Sequence, residues 1–504
     1  MDQIGPIELD PTLDTPLYQQ LFDAIAALIG SGALAPGQRL PPTRALAQRL
    51  GAHRNTVVRA YGELEDAGFV TGTVGRGTFV RRPPEGVRAV QPSAAPSGIA
   101  WGTLLSRQSA AEPLRRAERF AQASAGRGAI NMVRMQPSAD LLPDQLFRRC
   151  LDHVLATLGG RALGYAPRPG VARLREQIAL DLERQGVSTT ADDVLVTSGS
   201  QQALDLLVRA LVNPGEPMIV DSVTYTGALS AFSVGGARLL TVPSDDEGPD
   251  LAALERLGRT HAKAFYLMPS CQNPTGRCIS LSRRRALVDW SRRTGVPLIE
   301  DDYVSDLHVD APPPAPLRGF DGDVLYVGTY SKKLIPAVRV GYVVAPPPLR
   351  KRLEALKQVS DMGSPLIQYA LAEFLERGYL RAHLSRTLPE YRARRDALEG
   401  ALREHLPEGL SVRRPVSGLN LWLPLPERVD SHQVFEAARD EGVLVMPATM
   451  NRATESGENG IRMNFCAEPP ERLREGGERL GRALQRVLSE CREGDAELEA
   501  AAVI

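Results

Sequence analysis

Residues 324–344 read VLYVGTYSKKLIPAVRVGYVV, and the rest of the chain is organised around this stretch. The apolar run Val324, Leu325, Tyr326 and Val327 predicts a buried strand. A polar turn carrying Ser331 and Lys332 follows, and a second β-branched run extends from Val338 to Val344. A lysine at a strand end beneath apolar residues is placed to lose its proton and attack a carbonyl. Arg339, seven residues further on, offers a planar fork for a phosphate, and Thr329 and Ser331 add hydroxyl donors. Together these groups suit an aldehyde cofactor with a phosphate tail, a description that pyridoxal phosphate (PLP) meets. A solvent-facing Ser-Lys-Lys turn fits the same residues, so the choice falls to the rest of the chain.

The chain's 504 residues suffice for roughly two to three folding units with a large core. Its 60 basic and 60 acidic side chains balance, so no global field marks a polyanion binder. The balance is uneven along the chain. Residues 1–37 hold five acids and no Lys or Arg, whereas residues 38–82 hold eight Arg against three acids. A local basic block in a neutral chain is the footprint of a nucleic-acid module. The five cysteines (Cys150, Cys271, Cys278, Cys466, Cys491) have neither metal-ligand spacing nor an even disulfide framework, so no metal is expected. The opening MDQIGPIELD lacks the basic and apolar regions of a signal peptide. No apolar run reaches the about 18 residues that would suggest a membrane span. A soluble, cytoplasmic protein without membrane contact is expected.

In the basic block, Asp14-Thr15-Pro16 caps a helix over 16–31, with Leu17, Leu21, Ile25 and Leu28 on one face and Gly32 ending it. A second helix spans Thr43 to Leu50, and a third spans about Arg54 to Ala67, with Val57, Tyr61 and Leu64 inward and Gly68 as C-cap. Phe69–Thr71 and Thr78–Arg81 predict two strands around the tip Val74-Gly75-Arg76-Gly77. Three helices and a β-wing make a winged helix, whose third helix enters the major groove while the wing touches backbone. The DNA-facing candidates are Arg39, Arg44, Arg54, Asn55, Thr56, Arg59 and Arg76, with Arg54 and Arg59 as base readers and Arg44 as a phosphate contact. GQRLPPTRALAQRLGAHRNTVVRAYGELEDAGFVTGTVGRGTFV resembles the GntR-family DNA-binding domain over its whole length. In that family a serine often stands where His53 stands here, and a poorer cap costs roughly 1 kcal/mol.

Residues 83–128 begin with a Pro-, Ala-, Ser- and Gly-rich connector, and Leu114–Ala123 adds one helical stretch. From about residue 129 to 490, short apolar runs alternate with helical patterns, which predicts a mainly parallel α/β sheet. Its strand candidates are Val194–Thr197, Met218–Val220, Ala264–Met268, Pro297–Glu300 and Val324–Val327. The motifs fall at their C-terminal ends, where open α/β sheets bind ligands. In VLVTSGSQQAL the turn Ser198-Gly199-Ser200-Gln201 starts a helix and makes an anion site. Tyr225 suits stacking on a flat ring, although a core tyrosine fits its position equally. Asn273 precedes a Pro-Thr-Gly turn and offers its amide to a phenolate. Asp301 follows a buried strand, where a carboxylate keeps a pyridinium protonated, with Asp302 as its competitor; Tyr303 reaches the same 3-hydroxyl as Asn273. Arg462 suits bidentate capture of a substrate carboxylate. Residues 491–504 read as a frayed tail.

These segments resemble the fold-type I aminotransferase domain, and GTYSKKLIPAVRVGYVV resembles its Schiff-base segment, with Lys332 where the PLP lysine sits. The departures are Lys333, where a small polar residue is usual, and Cys271, where a histidine is frequent. The tyrosine matching Tyr165 reaches the phosphate of a neighbouring subunit in that family, which implies a homodimer. A winged helix (1–82), a linker (83–128), an aminotransferase-like domain (129–490) and a tail (491–504) follow the order of the MocR/GabR-type GntR regulators. The resemblance implies a PLP-dependent regulator that binds a double-stranded operator and senses an amino compound or PLP itself. Because the catalytic set is complete, a working aminotransferase with a DNA-binding head is the alternative.

Overall fold

The structure is a computed structural model that describes residues 7, 9–10, 15–30, 32–73, 77–81, 101–124, 128–304, 306–415 and 417–502. The chain divides into two compact units, Met1–Leu104 and Leu105–Ile504.

The first unit holds helices α1 (Leu17–Gly30), α2 (Thr43–Arg49) and α3 (Arg54–Asp66), followed by an antiparallel wing of β1 (Val70–Thr73) and β2 (Gly77–Val80). Leu21, Ile25, Leu46, Val57 and Leu64 pack its core. Ile29 joins them where the sequence pattern points to Leu28, because a straight helix carries the row i, i+4, i+8 onward to 29. Tyr61 is buried too, its hydroxyl donating to the Pro41 carbonyl at 2.9 Å. His53 does cap α3, accepting from the Asn55 N–H through Nδ1 at 3.3 Å. Asp14, Arg76 and most of the wing tip lie outside the described residues.

The second unit is built on a seven-stranded sheet. Its strands are β3 (Val194–Thr197), β4 (Pro217–Asp221), β5 (Arg238–Val242), β6 (Phe265–Leu267), β7 (Leu298–Asp302), β8 (Leu325–Thr329) and β9 (Gly341–Val344). They lie in the order β3-β9-β8-β7-β6-β4-β5. Every neighbouring pair is parallel except those of β9, which runs antiparallel between β8 and β3. Alternation sends Leu195, Tyr266, Ile299, Val327 and Val343 to one face, and Val196, Leu298, Tyr326 and Tyr342 to the other. A smaller antiparallel sheet of Asn420–Pro424, Gly460–Asn464 and Met446–Pro447 carries Arg462.

Two expected boundaries move. The helix in the presumed connector spans Glu112–Ala123 and packs on the second unit: its Phe120 ring lies 5.0 Å from Phe435, and Arg116 donates to the Thr449 carbonyl at 2.6 Å. Its apolar stripe is short, so partners distant in sequence decide where it docks. The described part of the presumed tail, residues 491–502, continues a helix, Pro470–Ala502. Among the described residues, no helix is long and apolar enough to cross a membrane.

Helix α4 (Ser200–Leu211) begins against β9. A Cβ on Gly341 would lie 2.6 Å from the Gly199 carbonyl carbon and 2.7 Å from the Ser200 nitrogen, both of them backbone atoms. Gly341→Ala should therefore destabilise the protein by about 1–3 kcal/mol. A lowered urea midpoint at unchanged slope, with no such change for Gly322→Ala, checks this; around Gly322 the space is open.

Candidate functional site

The turn after β8 sends its two lysines to different surroundings. Lys332 donates through Nζ to the Met135 carbonyl at 2.6 Å. Burial pulls its pKa below the usual lysine range; Cys466 opposes this, while Arg462 and Arg339 add to it. Lys333 is buried with Nζ 2.7 Å from Asp306 and 3.6 Å from Asp181. Burial works against its charge, but these two carboxylates outweigh it and hold the pKa well above the ordinary value. Lys332 is thus the amine shifted toward its neutral form, and Lys333 the one held charged by its ion pairs.

Asp301, at the end of β7, accepts from the Tyr266 hydroxyl at 2.7 Å through Oδ2, whereas its Oδ1 is buried with no partner. Burial lifts its pKa to about 7, against the Tyr266 hydrogen bond and with help from Asp302. Asp302 faces the opposite side of the sheet and accepts from Tyr326 at 2.9 Å. Tyr303 is buried, its hydroxyl 3.6 Å from Cys271 Sγ, a weak acceptor. Asn273 accepts from Arg462 through Oδ1 at 3.0 Å, which leaves Nδ2 as its donor edge. Arg462 also donates to the Val133 carbonyl at 2.9 Å; its Nε is buried without a partner, and burial lowers its pKa to about 10.

At the sheet's end beside β9, Gly199 has φ +87°, and a Cβ there would meet the Arg339 guanidinium at 3.3 Å. Arg339, itself left-handed at φ 48°, donates to the Ser198 carbonyl at 3.1 Å. Such a conformation costs a non-glycine residue on the order of 1–2 kcal/mol. The Ser198 hydroxyl bonds Asp361, and Gln201 accepts from Tyr225 at 3.3 Å. Thr329 accepts from the Ser331 N–H at 3.2 Å and so shapes the turn that presents Lys332. The N-terminus of α4, starting at Ser200, lies beside the Arg339 guanidinium.

Tyr165 is fully exposed on the single chain. On the first unit, Arg39, Arg44, Arg54 and Asn55 are exposed and Thr56 is half-buried. Arg59 is exposed as well, but it is occupied: Glu63 pairs with its Nε at 3.2 Å, and the guanidinium sits 3.6 Å over the Tyr18 ring. Sequence reasoning missed Tyr266, which reads as a core residue of a buried strand, and Asp361, which no motif marks.

A desolvated amine, a buried carboxylate oxygen without a partner, an arginine held at the start of α4 and a second, buried arginine thus lie around one end of the sheet. Such a set suits an aminotransferase-type domain. Residues 138–480 match the aminotransferase class I and II family, and residues 17–80 match the bacterial regulatory proteins of the gntR family. The probable rhizopine catabolism regulatory protein MocR of Rhizobium meliloti is 30% identical over 477 residues, covering 93% of this chain and 94% of that protein. The uncharacterized HTH-type transcriptional regulator YdcR of Escherichia coli is 31% identical over 474 residues, covering 93% and 99%. The crystal structure of LysN, the alpha-aminoadipate aminotransferase of Thermus thermophilus, superposes with TM-score 0.71 at 31% identity, covering 78% of this chain and all of that one. The chain belongs to the MocR/GabR-type family, in which a GntR DNA-binding domain is fused to an aminotransferase class I and II domain.

Asp301→Asn should weaken PLP binding about tenfold or more, since a charge-assisted hydrogen bond is lost. Visible-absorbance titration measures this, and an equal loss in Asp302→Asn would contradict the assignment of the two aspartates.

Proposed function

We propose that this chain is a PLP-dependent transcription regulator, acting in the cytoplasm as a homodimer on a double-stranded operator, whose aminotransferase-like unit senses an amino compound or PLP itself. The observation that carries the cofactor reading is the orphaned Oδ1 of Asp301, a buried acceptor that a protonated pyridine nitrogen would satisfy. The surroundings fit the rest of the cofactor. Asn273 and Tyr303 would bond its 3-hydroxyl, and Tyr225 would flank the ring. The Ser198–Gln201 turn, Ser331 and Arg339 would take its phosphate, and Lys332 its aldehyde carbon. When bound, PLP supplies an electrophilic carbon and an electron sink. Lys332, pulled toward its neutral form by burial, would supply the amine, and Arg462 would orient an effector carboxylate. The exposed Tyr165 supports a dimer in which it reaches the partner's phosphate site.

The family membership, together with regulators matched over more than nine-tenths of this chain, favours regulation as the biological role. A second reading, turnover of amino acids, is favoured by the complete residue set and the likeness to LysN. Effector titration followed both by visible absorbance and by operator binding separates the two. A regulator changes its DNA affinity on effector binding, whereas an enzyme alone consumes amino acid with no such change.

Borohydride reduction of the PLP-loaded protein followed by peptide mapping should place the pyridoxyl group on Lys332. Recovery on Lys333 would overturn that assignment. For the DNA-binding head, the start of α3 (the exposed Arg54 and Asn55 with the half-buried Thr56) is proposed to read bases, with Arg39, Arg44 and Arg76 on phosphate. Arg59 has its guanidinium shared with Glu63 and Tyr18, which makes it the weaker of the two proposed base-reading arginines. Arg54→Ala should cost about 1–3 kcal/mol and relax one operator position, while Arg44→Ala should weaken all sequences alike and lower the salt slope by about one. Footprinting and salt-dependent binding to the operator check both.

A further inference from the structure

Tyr266 and Asp301 meet across neighbouring parallel strands. Tyr266 on β6 pairs with Ile299 on β7, and two residues further on Asp301 stands on the same face of the sheet. The Tyr266 hydroxyl donates to Asp301 Oδ2 at 2.7 Å, and the tyrosine is wholly buried. Its ring meets Phe232 edge-on with the centroids 5.2 Å apart, which fixes where the hydroxyl lies. Two other phenols stand near Asp301, but each is directed elsewhere: Tyr225 donates to Gln201 at 3.3 Å and Tyr303 to Cys271 at 3.6 Å. Asp302, the neighbour along the chain, is an acid on the opposite face. Among the described residues Tyr266 is therefore the one side chain that donates to Asp301. Burial holds the Tyr266 pKa well above the usual phenol value, so the group stays a donor throughout the neutral range. A donor of this kind favours a carboxylate over its acid. Burial pushes Asp301 up to about 7, the Tyr266 bond pulling against it and Asp302 adding to it. The charge of Asp301 is thus poised near neutral pH, where one hydrogen bond decides it.

We propose that Tyr266 is a positioning residue of the pocket, whose hydroxyl fixes the Asp301 carboxylate in place and keeps it charged for a protonated ring nitrogen. The inference rests on the PLP reading for the group that Asp301 meets; the hold of Tyr266 on Asp301 belongs to the chain alone. A neutral Asp301 offers the nitrogen an acid in place of a counter-ion, so apparent affinity falls with the charged fraction of Asp301. The chain also carries its own control. Asp302 accepts from Tyr326 at 2.9 Å, a tyrosine–aspartate pair of the same kind on the face opposite Asp301.

Phenylalanine fills the same space, so Tyr266→Phe keeps the packing against Phe232 and removes only the donor. The first measurement uses full-length protein stripped of cofactor. Infrared difference spectra across pH follow the band of the protonated Asp301 carboxyl, assigned by its absence in Asp301→Asn. Its midpoint should rise by about one pH unit or more in Tyr266→Phe and should not rise in Tyr326→Phe. The second measurement is PLP affinity across pH, read by visible absorbance. The loss in Tyr266→Phe relative to wild type should be about fivefold or more near neutral pH and should shrink as pH rises, because the charged fraction of Asp301 recovers. A pocket merely loosened by the substitution loses the same factor at every pH. An unmoved infrared midpoint, an equal rise in Tyr326→Phe or a loss of affinity independent of pH overturns the inference. A raised midpoint in protein that binds no PLP at any pH supports the hold of Tyr266 on Asp301 and overturns the PLP reading.

Discussion

The approach of β9 to the start of α4 is the constraint on which the second unit's chemistry depends. With no side chain at Gly341, the backbone of an antiparallel strand comes within contact of Gly199 and Ser200. That approach holds Arg339, two residues before β9, against the Ser198 carbonyl. It also closes the turn that carries Lys332, since the Tyr330 N–H donates to the Val340 carbonyl at 3.1 Å. The helix amides, the guanidinium and the amine thus converge because two stretches of backbone are allowed to touch. An arrangement fixed by backbone contact in this way is rigid.

Burial then sorts the charges. Asp301 and Lys332 are both desolvated with little to offset it, and both move toward their neutral forms. Lys333 is more deeply buried still but has two carboxylates within ion-pair distance, so it keeps its charge. An uncompensated buried carboxylate is costly, and such groups concentrate where function uses them.

Much of this architecture was legible because it rests on local rules. The helices of the first unit, the strand–turn–helix at 194–204 and the strand ends bearing Asp301 and Lys332 follow from periodicity and from turn residues. What stayed hidden depends on contacts between distant segments. Tyr266 lies in a buried run with nothing to distinguish it from packing, yet it holds Asp301. The cation–π contact of Arg59 with Tyr18 joins two helices and turns an apparent surface charge into a packing element. The helix Glu112–Ala123 belongs to the second unit through Phe435 and the Thr449 carbonyl, hundreds of residues away in sequence. Cys271 looked like a departure, and its consequence, a soft acceptor for the Tyr303 hydroxyl, emerges only in three dimensions.

The doublets Asp301-Asp302 and Lys332-Lys333 make this domain unusually exposed to error in strand alignment. A slip of one residue would exchange the members of each pair between the two faces and leave the kinds of side chain on each face unchanged. Charge complementarity alone would scarcely register the mistake. The safeguard is steric. In the native pairing Asp302 lies opposite Gly328, and a Cβ at Gly328 would fall 2.3 Å from the ring of Tyr342. Moving Val327 or Thr329 into that slot would drive a branched side chain into the tyrosine. Which member of each doublet ends on a given face is thus selected by the bulk of an aromatic ring on the adjacent strand.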